Sequence, residues 1–327
     1  MSLNKQGLRH TLERFFRRHR ILGRVLISPL ILLAMIAASF FLIRLAPGSP
    51  FSEERSYPPA VLQTLRAKYH LDKPAWVQFG YYLRGLLRGD LGPSLKYPER
   101  SVDDIIREYW PRSFLLGITA LCLALLAGVS CGIVAAWRRG GYTDFVVMSV
   151  AVLGISLPAF VIGPLIQLAV MRWLPGWPIT GFGEWRRLVF PAITLALPLA
   201  ARFARLTRAG FLEVLTEDYI LTARAKGLPE WKVIWIHATR GGLLPVLGFL
   251  GPAIASITTG SLVVEQIFAI PGLGREFIAS ALNRDYTLVL GTVVVYGAMI
   301  IGANLLSDIA YLWLNPRLRR EVEERAP

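Results

Sequence analysis

The sequence predicts an all-α membrane protein with six transmembrane helices and an external helical loop after the first of them. Of the 327 residues, 54% are hydrophobic and the mean hydropathy is +0.48, which is typical of a polytopic membrane protein. Uncharged runs about as long as a bilayer span recur along the chain. The net charge of +14 arises from cations that flank these runs, which favours anionic lipid and cytoplasmic subunits as partners and not nucleic acid.

The first span is predicted at residues 25–45, because Val25–Ile43 carries no charge. Residues 1–24 form a basic leader before it, with five arginines close to the apolar run: Arg14, Arg17, Arg18, Arg20 and Arg24. The run is longer than that of a secretory signal peptide and has no small-residue cleavage site. We therefore expect an uncleaved anchor whose N-terminus lies in the cytoplasm.

Residues 46–112 form the longest polar segment, which we assign to the external side. Apolar side chains recur there at helical spacing until Gly89: Trp76, Phe79, Leu83, Leu86 and Leu87. Ser101 and Asp104 form a capping pair before the next apolar run. The segment is therefore predicted to be a small helical loop domain.

The second span is predicted at Ser113–Ala136, the first of five in a helical core that covers residues 113–314. Its Gly128-x-x-x-Gly132 spacing permits close helix packing. Cys122 and Cys131 both lie in this apolar run, so they are expected to be free thiols.

Arg138 and Arg139 mark a cytoplasmic turn before the third span, Phe145–Val170. Pro158 and Pro164 interrupt this long run, so one kinked or tilted helix is expected. Its amide, Gln167, is expected to bond to a neighbouring helix.

The fourth span is predicted from Leu188–Ala201, which is too short unless the helix continues past Arg205 with its arginines snorkelling to the interface. Two charge-free runs, Leu243–Val264 and Thr287–Ser307, give the fifth and sixth spans. The fifth should have a pliable, closely packing backbone because of four residues: Pro245, Gly251, Pro252 and Gly260. Residues 315–327 form a cytoplasmic tail.

Short loops decide the orientation. The loops assigned to the inside carry nine cations: Arg138, Arg139, Arg202, Arg205, Arg208, Arg224, Lys226, Lys232 and Arg240. Those assigned to the outside carry four: Arg186, Arg187, Arg275 and Arg284. This asymmetry predicts that both termini are cytoplasmic.

Thr216–Pro245 is a polar, helix-forming segment between apolar spans, here called the 216–245 segment. Thr216 is expected to cap a helix, with Glu217 and Asp218 in its first turn and Gly227 at its end. A second helical piece, Pro229–Arg240, should follow. The pattern alone is equally that of an amphipathic cytoplasmic loop.

Residues 222–228 (TARAKGL), with His237-Ala238 and Leu243-Leu244-Pro245 downstream, resemble the EAA loop of ABC importer permeases, in its dipeptide and oligopeptide form. Leu221 replaces the acidic residue of the general motif. Gly241-Gly242 stands where Arg-Asn is commoner, which bears on local helix stability. The resemblance implies contacts with an ATPase subunit at nine residues: Glu217, Asp218, Tyr219, Thr222, Ala223, Arg224, Ala225, Lys226 and Gly227.

Further stretches resemble oligopeptide permease B-type subunits, so the resemblance covers nearly all of the chain after the leader. They are residues 71–74 (LDKP), 87–94 (LRGDLGPS), 270–275 (IPGLGR), 283–287 (NRDYT) and 314–317 (LNPR). In that family the external loop lies near the mouth that meets the binding protein. A loop that merely covers the helices is the alternative.

The resemblance implies a type I ABC importer-like fold and a permease subunit that forms half of a peptide translocation pathway in a bacterial inner membrane. The implied partners are a second homologous permease, two cytoplasmic ABC ATPases, an extracytoplasmic peptide-binding protein and membrane lipids. Oligopeptides, dipeptides, nickel chelates and glutathione all remain open as ligands. A secondary transporter, or a channel or scaffold subunit without ATP coupling, is the alternative function.

Catalytic chemistry is not predicted. The sequence has no Gly-x-x-x-x-Gly-Lys-Ser/Thr phosphate loop, so the chain is not expected to be an enzyme. No metal site or cofactor is expected from its four scattered histidines: His10, His19, His70 and His237. Asp308, near the inner end of the sixth span, is expected to meet Arg317 or a neighbouring chain.

Overall fold

The computed structural model describes residues 20–45, 72–97, 99–258 and 262–314. Several predicted features lie outside the described residues: most of the basic leader (residues 1–19), the first part of the external loop (46–71), Gly260, the tail (315–327, with Arg317) and the histidines His10, His19 and His70.

Helices make up the elements of the described chain. They are α1 (Arg20–Leu45), α2 (Ala75–Leu86), α3 (Val102–Trp137), α4 (Tyr142–Ser156), α5 (Ala159–Trp173), α6 (Trp185–Val214), α7 (Asp218–Ala225), α8 (Glu230–Gly242), α9 (Leu244–Thr258), α10 (Leu262–Ile267), α11 (Leu273–Leu282) and α12 (Tyr286–Leu314). Four of them, α1, α3, α6 and α12, are long and apolar enough to cross a membrane. Two bent pairs, α4–α5 and α8–α9, raise the number of spans to six if each pair crosses once.

The third span is not the single kinked helix that was predicted. α4 and α5 meet at an angle of 107°, so the helix is broken. The break falls at Leu157, whose extended backbone (φ −89°, ψ 117°) is the conformation favoured before a proline. Pro158 then begins α5 as its N-cap, whereas Pro164 is accommodated inside that helix.

The α4–α5 pair nevertheless runs along the whole of α6. Near the start of α4, Asp144 bonds to Arg208 near the end of α6. Just after α5, the Trp177 ring packs edge-on against Phe190, near the start of α6, with the centroids 5.8 Å apart. The pair therefore begins and ends at opposite ends of α6, as one crossing of the membrane requires.

Glycines allow α3 and α6 to pack closely side by side. A Cβ at Gly128 would lie 2.5 Å from the Ala200 carbonyl oxygen, and one at Gly132 would lie 2.6 Å from that of Ala204. The small-residue spacing thus has the packing role predicted for it. Gly128 faces Ala200 and Gly132 faces Ala204, so residue numbers increase in the same direction along both helices. The two helices are therefore parallel, as expected for the second and fourth of six alternating spans.

Two further pairs of neighbours, α9 with α12 and α1 with α12, are antiparallel. The Ser307 hydroxyl of α12 donates to the Leu247 carbonyl of α9 at 2.7 Å, and Gly251 lies against Asn304. At the far side, Arg24 of α1 forms an ion pair with Asp308 of α12. Asp308 therefore pairs within the chain, which sequence reasoning did not anticipate, and the start of α1 lies beside the end of α12.

Two predicted boundaries are wrong. α3 begins at Val102, eleven residues before the predicted Ser113, because Ser101 caps it: the Ser101 hydroxyl oxygen accepts a hydrogen bond from the Asp104 amide at 3.1 Å. The helix of the fifth span ends at Thr258 and not at Val264, which belongs to the short helix α10. α6 does continue past Arg205, as predicted, and Arg202 and Arg205 are exposed.

Candidate coupling site

One face of α7 anchors the 216–245 segment to the ends of the bundle. Ile220 is fully buried and Ala223 is 5% exposed. They belong to a core with the ends of α3 and α6 and the middle of α8: Ile133, Ala136, Phe211, Val214, Val233, Ile234 and Ala238. A displacement of α7 must therefore be transmitted to α3 and α6, because packed side chains of this kind are close to incompressible.

The other face of α7 is exposed. Six of the predicted contact residues lie there or at its ends: Asp218, Tyr219, Thr222, Arg224, Ala225 and Lys226. Gly227 is exposed as well and Glu217 is partly exposed, whereas Ala223 faces the core. Of the nine residues, Ala223 is therefore placed for packing within the chain and not for contact with a partner.

Thr216 does not cap α7. Its hydroxyl donates to the Glu213 carbonyl at 2.7 Å, in the last turn of α6, where helix carbonyls lack intrahelical partners. Glu217 takes the N-cap position without a side-chain cap bond, and Asp218 is the acidic residue of the first turn. The negative charge predicted at this helix start is present, but the capping hydroxyl is not.

Gly227 ends α7 in the left-handed conformation, with φ +76°. The Gly227 amide donates to the Arg224 carbonyl at 2.9 Å, and the Leu228 amide donates to that of Ala223 at 3.3 Å. This pair of bonds is a Schellman turn, in which glycine relieves the steric cost of positive φ. The prediction that Gly227 stops the helix is confirmed.

Across that turn, an ion pair joins α7 to α8. Arg224 donates from Nε to Glu230 Oε1 at 2.7 Å and from Nη2 to Oε2 at 3.3 Å. Both side chains are partly exposed, so the pair contributes little stability, about 0–1 kcal/mol. Its geometric effect is to hold the two helices in one orientation around Gly227.

The middle of α8 is a π-helix, Val233–Ala238, which the sequence did not reveal. The Thr239 hydroxyl donates to the Ile234 carbonyl five residues earlier at 3.0 Å. Such wide turns are rare and occur often at functional sites. Here the widening buries Val233 and Ile234 and leaves Trp235 and Ile236 exposed.

Large apolar side chains therefore lie on the outside of the segment, a feature missing from the predicted contact set. Leu221 is 51% exposed, and three residues of α8 are more than half exposed: Trp231, Trp235 and Ile236. The sequence did contain a sign of this surface, because apolar residues recur at helical spacing in an otherwise polar segment. Exposed apolar surface with a charged border is typical of a protein interface.

The Gly241-Gly242 pair has a packing role. A Cβ at Gly241 would lie 2.7 Å from a Val214 methyl, and one at Gly242 would overlap the Phe211 ring. A Cβ at Gly210 of α6 would in turn overlap the Gly242 carbonyl. The departure from the commoner Arg-Asn pair thus allows the end of α8 to touch α6, a packing role that sequence alone did not indicate.

At the opposite end of the molecule, Asp285 fixes the 87–101 loop to α12. Its buried carboxylate accepts from the Ser94 hydroxyl and from the Leu95 and Lys96 amides at 3.2 and 3.3 Å. It also accepts from the Leu288 amide at 3.1 Å, which makes Asp285 the N-cap of α12. Two of the stretches that carry the family resemblance, 87–94 and 283–287, therefore meet at one residue.

Glu265 plays a similar part at the start of α11. This fully buried side chain accepts from the Ser113 hydroxyl at 2.7 Å and from the Arg275 amide at 3.0 Å. Burial raises the pKa of the Glu265 carboxyl, and these two hydrogen bonds oppose the rise. Nearby, Gln167 of α5 donates to the Ile267 carbonyl at 2.8 Å, which confirms its predicted bond to a neighbouring helix.

Within the described ranges, no group of His, Cys, Asp and Glu is arranged to hold a metal ion. Cys122 and Cys131 are free thiols, as expected, and both are exposed on α3.

Comparisons with known proteins agree with this architecture. Residues 128–320 match the family described as "Binding-protein-dependent transport system inner membrane component". The oligopeptide transport system permease protein OppB of Escherichia coli (strain K12) is 43% identical over 302 residues, 91% of this chain and 98% of that protein. The dipeptide transport system permease protein DppB of Bacillus subtilis (strain 168) is 44% identical over 290 residues, 88% of this chain and 94% of that protein.

Among solved structures, inward-facing conformations of the MetNI methionine ABC transporter match with a TM-score of 0.51. The match covers 67% of this chain and 96% of that chain, with 15% sequence identity, and it concerns the fold. The prediction of an all-α, type I ABC importer-like fold is confirmed.

The molecule is thus a polytopic inner-membrane permease subunit and not itself an enzyme. The chain belongs to the family of binding-protein-dependent transport system inner membrane components, and the predicted resemblance to oligopeptide and dipeptide permeases is confirmed. Neither a secondary transporter nor a scaffold subunit is supported by these relatives. The family implies ATPase and binding-protein partners.

Proposed function

We propose that this chain forms half of the translocation pathway of an ATP-driven importer for oligopeptides or dipeptides. The proposal rests on sequence identity above 40% with permeases named for those two substrates, over nearly their full length. The complete importer would contain a second homologous permease, two cytoplasmic ATPases and an extracytoplasmic peptide-binding protein. Selection among peptides would rest largely with the binding protein.

The 216–245 segment is the coupling element of this proposal. Its outer surface combines cations with exposed apolar side chains, here Lys226, Leu221 and Trp235. Its inner surface packs on α3 and α6 through Ile220 and Ala223. Closure of the ATPases would push on the outer surface, and the inner surface would pass this movement to the spans, so that the pathway faces each side of the membrane in turn.

In the proposed orientation, the 216–245 segment and both termini lie in the cytoplasm. The Arg24–Asp308 ion pair supports it, because six alternating spans bring the start of the first and the end of the last to the same side. Arg172, in the last turn of α5, adds one cation to the external side. The balance of nine against five still favours this orientation.

Reconstituted vesicles test the proposed function. The importer, assembled with its second permease, ATPases and binding protein, should take up a labelled tripeptide with ATP and not with ADP. The purified chain alone should hydrolyse no ATP. Uptake that is driven by a proton gradient without ATPases would instead establish a secondary transporter.

A further inference from the structure

A cavity of about 360 Å³ lies between the end of α1, α2 and the start of α12. Its lining includes Phe40, Arg44, Gln78, Tyr82, Asp90 and Tyr286. The volume is within the range of small-molecule sites in proteins. The cavity is far from the 216–245 segment, at the end of the molecule where Asp285 holds the 87–101 loop, so coupling does not account for it.

Arg44 brings a partly buried positive charge to this cavity. It donates to Gln78 Oε1 from Nε at 3.0 Å and from Nη2 at 2.8 Å, and to the Phe40 carbonyl from Nη1 at 3.2 Å. These bonds to described residues end on neutral oxygens. A guanidinium has five N–H donors, so two remain for a ligand, and a planar fork of this kind matches a phosphate.

The surroundings favour a lipid as the source of that ligand. α1 is a peripheral span that packs against α12 and α2, and its outer side chains near the cavity are exposed: Phe41, Leu42 and Leu45. Acyl chains can lie along these side chains while a headgroup enters beside Arg44 at the end of the span. Asp90 adds a negative charge to the lining, which disfavours a purely anionic ligand and suits one that also carries a cation.

We propose that this cavity binds the headgroup of an ethanolamine phospholipid. The phosphate accepts from the two remaining N–H groups of Arg44, and the ammonium group lies toward Asp90. The Asp90 carboxylate already accepts from the Gly92 amide at 2.8 Å through Oδ1, which leaves Oδ2 for the ligand. The inference is independent of peptide import.

Lipid binding to the delipidated full chain in detergent tests the proposal. Native mass spectrometry would measure the affinity for phosphatidylethanolamine, phosphatidylglycerol and inorganic phosphate. Wild type should prefer phosphatidylethanolamine. Arg44→Gln should weaken its binding at least about tenfold, because it removes the charged donors to the phosphate, and Arg44→Lys about fivefold, because it removes the planar fork. Asp90→Asn should abolish the preference over phosphatidylglycerol.

Arg84→Gln is the matched control, because Arg84 lies on α2, is exposed and does not line the cavity; it should bind as wild type does. Arg44→Lys keeps the positive charge and so serves if Arg44→Gln does not fold. Unchanged phosphatidylethanolamine affinity in Arg44→Lys, or in a folded Arg44→Gln, would overturn the proposal. Inorganic phosphate that displaces the lipid from wild type at equal concentration would also overturn it, since the site would then be one for free phosphate.

Discussion

The Asp144 carboxylate holds the Arg208 guanidinium through two parallel hydrogen bonds, Nε to Oδ1 at 2.6 Å and Nη2 to Oδ2 at 2.7 Å. Asp144 also accepts from the Gly140 amide at 3.0 Å, so it fixes the turn before α4 as well as α6. The pair joins α4 to the part of α6 that leads directly into the 216–245 segment. It therefore sets the position of that segment relative to the third span.

Asp144→Asn should destabilise the chain by about 2 kcal/mol, because it leaves the Arg208 charge without its partner in a largely buried place. The measurement is the thermal unfolding temperature in detergent, with Arg205→Gln, an exposed arginine of the same helix, as the control. The double variant Asp144→Asn/Arg208→Gln should recover part of the loss. Equal unfolding temperatures for Asp144→Asn and the control would show that the pair is energetically neutral.

Gly227→Val should leave membrane insertion intact and impair coupling. The left-handed conformation costs about 1–2 kcal/mol for a residue with a Cβ, and the Schellman turn that sets α7 against α8 would be strained. Space is not the cause, because a Cβ at Gly227 would meet nothing within 4 Å in this chain. Gly227→Asn is the matched control, since asparagine tolerates positive φ.

The test of Gly227 is peptide uptake and ATPase recovery at matched expression. Uptake should fall in Gly227→Val and persist in Gly227→Asn. Wild-type activity in both variants would mean that Gly227 is only a convenient helix end.

Cysteine labelling in intact cells tests the orientation. Lys226→Cys should resist an impermeant reagent and Leu87→Cys should react, because the proposed orientation puts these two exposed positions on opposite sides of the membrane. Ile220 is unsuitable because it is fully buried, and Cys122 and Cys131 need replacement by alanine since both are exposed. External labelling at position 226 would contradict both the topology and the coupling role.

Asp285→Ala should release the 87–101 loop from α12. The Leu95, Lys96 and Leu288 amides would lose bonds to a charged acceptor, so their hydrogen exchange should accelerate at least about tenfold. Asp72→Ala changes an exposed aspartate that makes no contact with Asp285 and should leave these rates unchanged. Equal exchange in the two variants would argue that the loop is held by its other contacts, among them the bond from the Thr287 hydroxyl to the Pro93 carbonyl.

The features that sequence predicted well are local ones. Uncharged runs located the spans, and the chemistry of glycine located the end of α7 at Gly227, because chain direction and helix termination depend on neighbouring residues. The Arg24–Asp308 and Asp144–Arg208 pairs join residues 284 and 64 positions apart, and a single sequence does not indicate such partners. Thr216 was misassigned because a hydroxyl between two helices can serve the end of one or the start of the next.

In the proposed function the outer face of α7 docks on the ATPases. Ala225→Trp places bulk on that face, whereas Ala281→Trp makes the same change at an exposed position of α11, on the side proposed to be external. The decisive measurement is the amount of ATPase that co-purifies with each variant, with peptide uptake alongside. Ala225→Trp should lose both the co-purified ATPase and the peptide uptake. Ala281→Trp should keep full ATPase recovery. Full recovery and uptake with Ala225→Trp would contradict it.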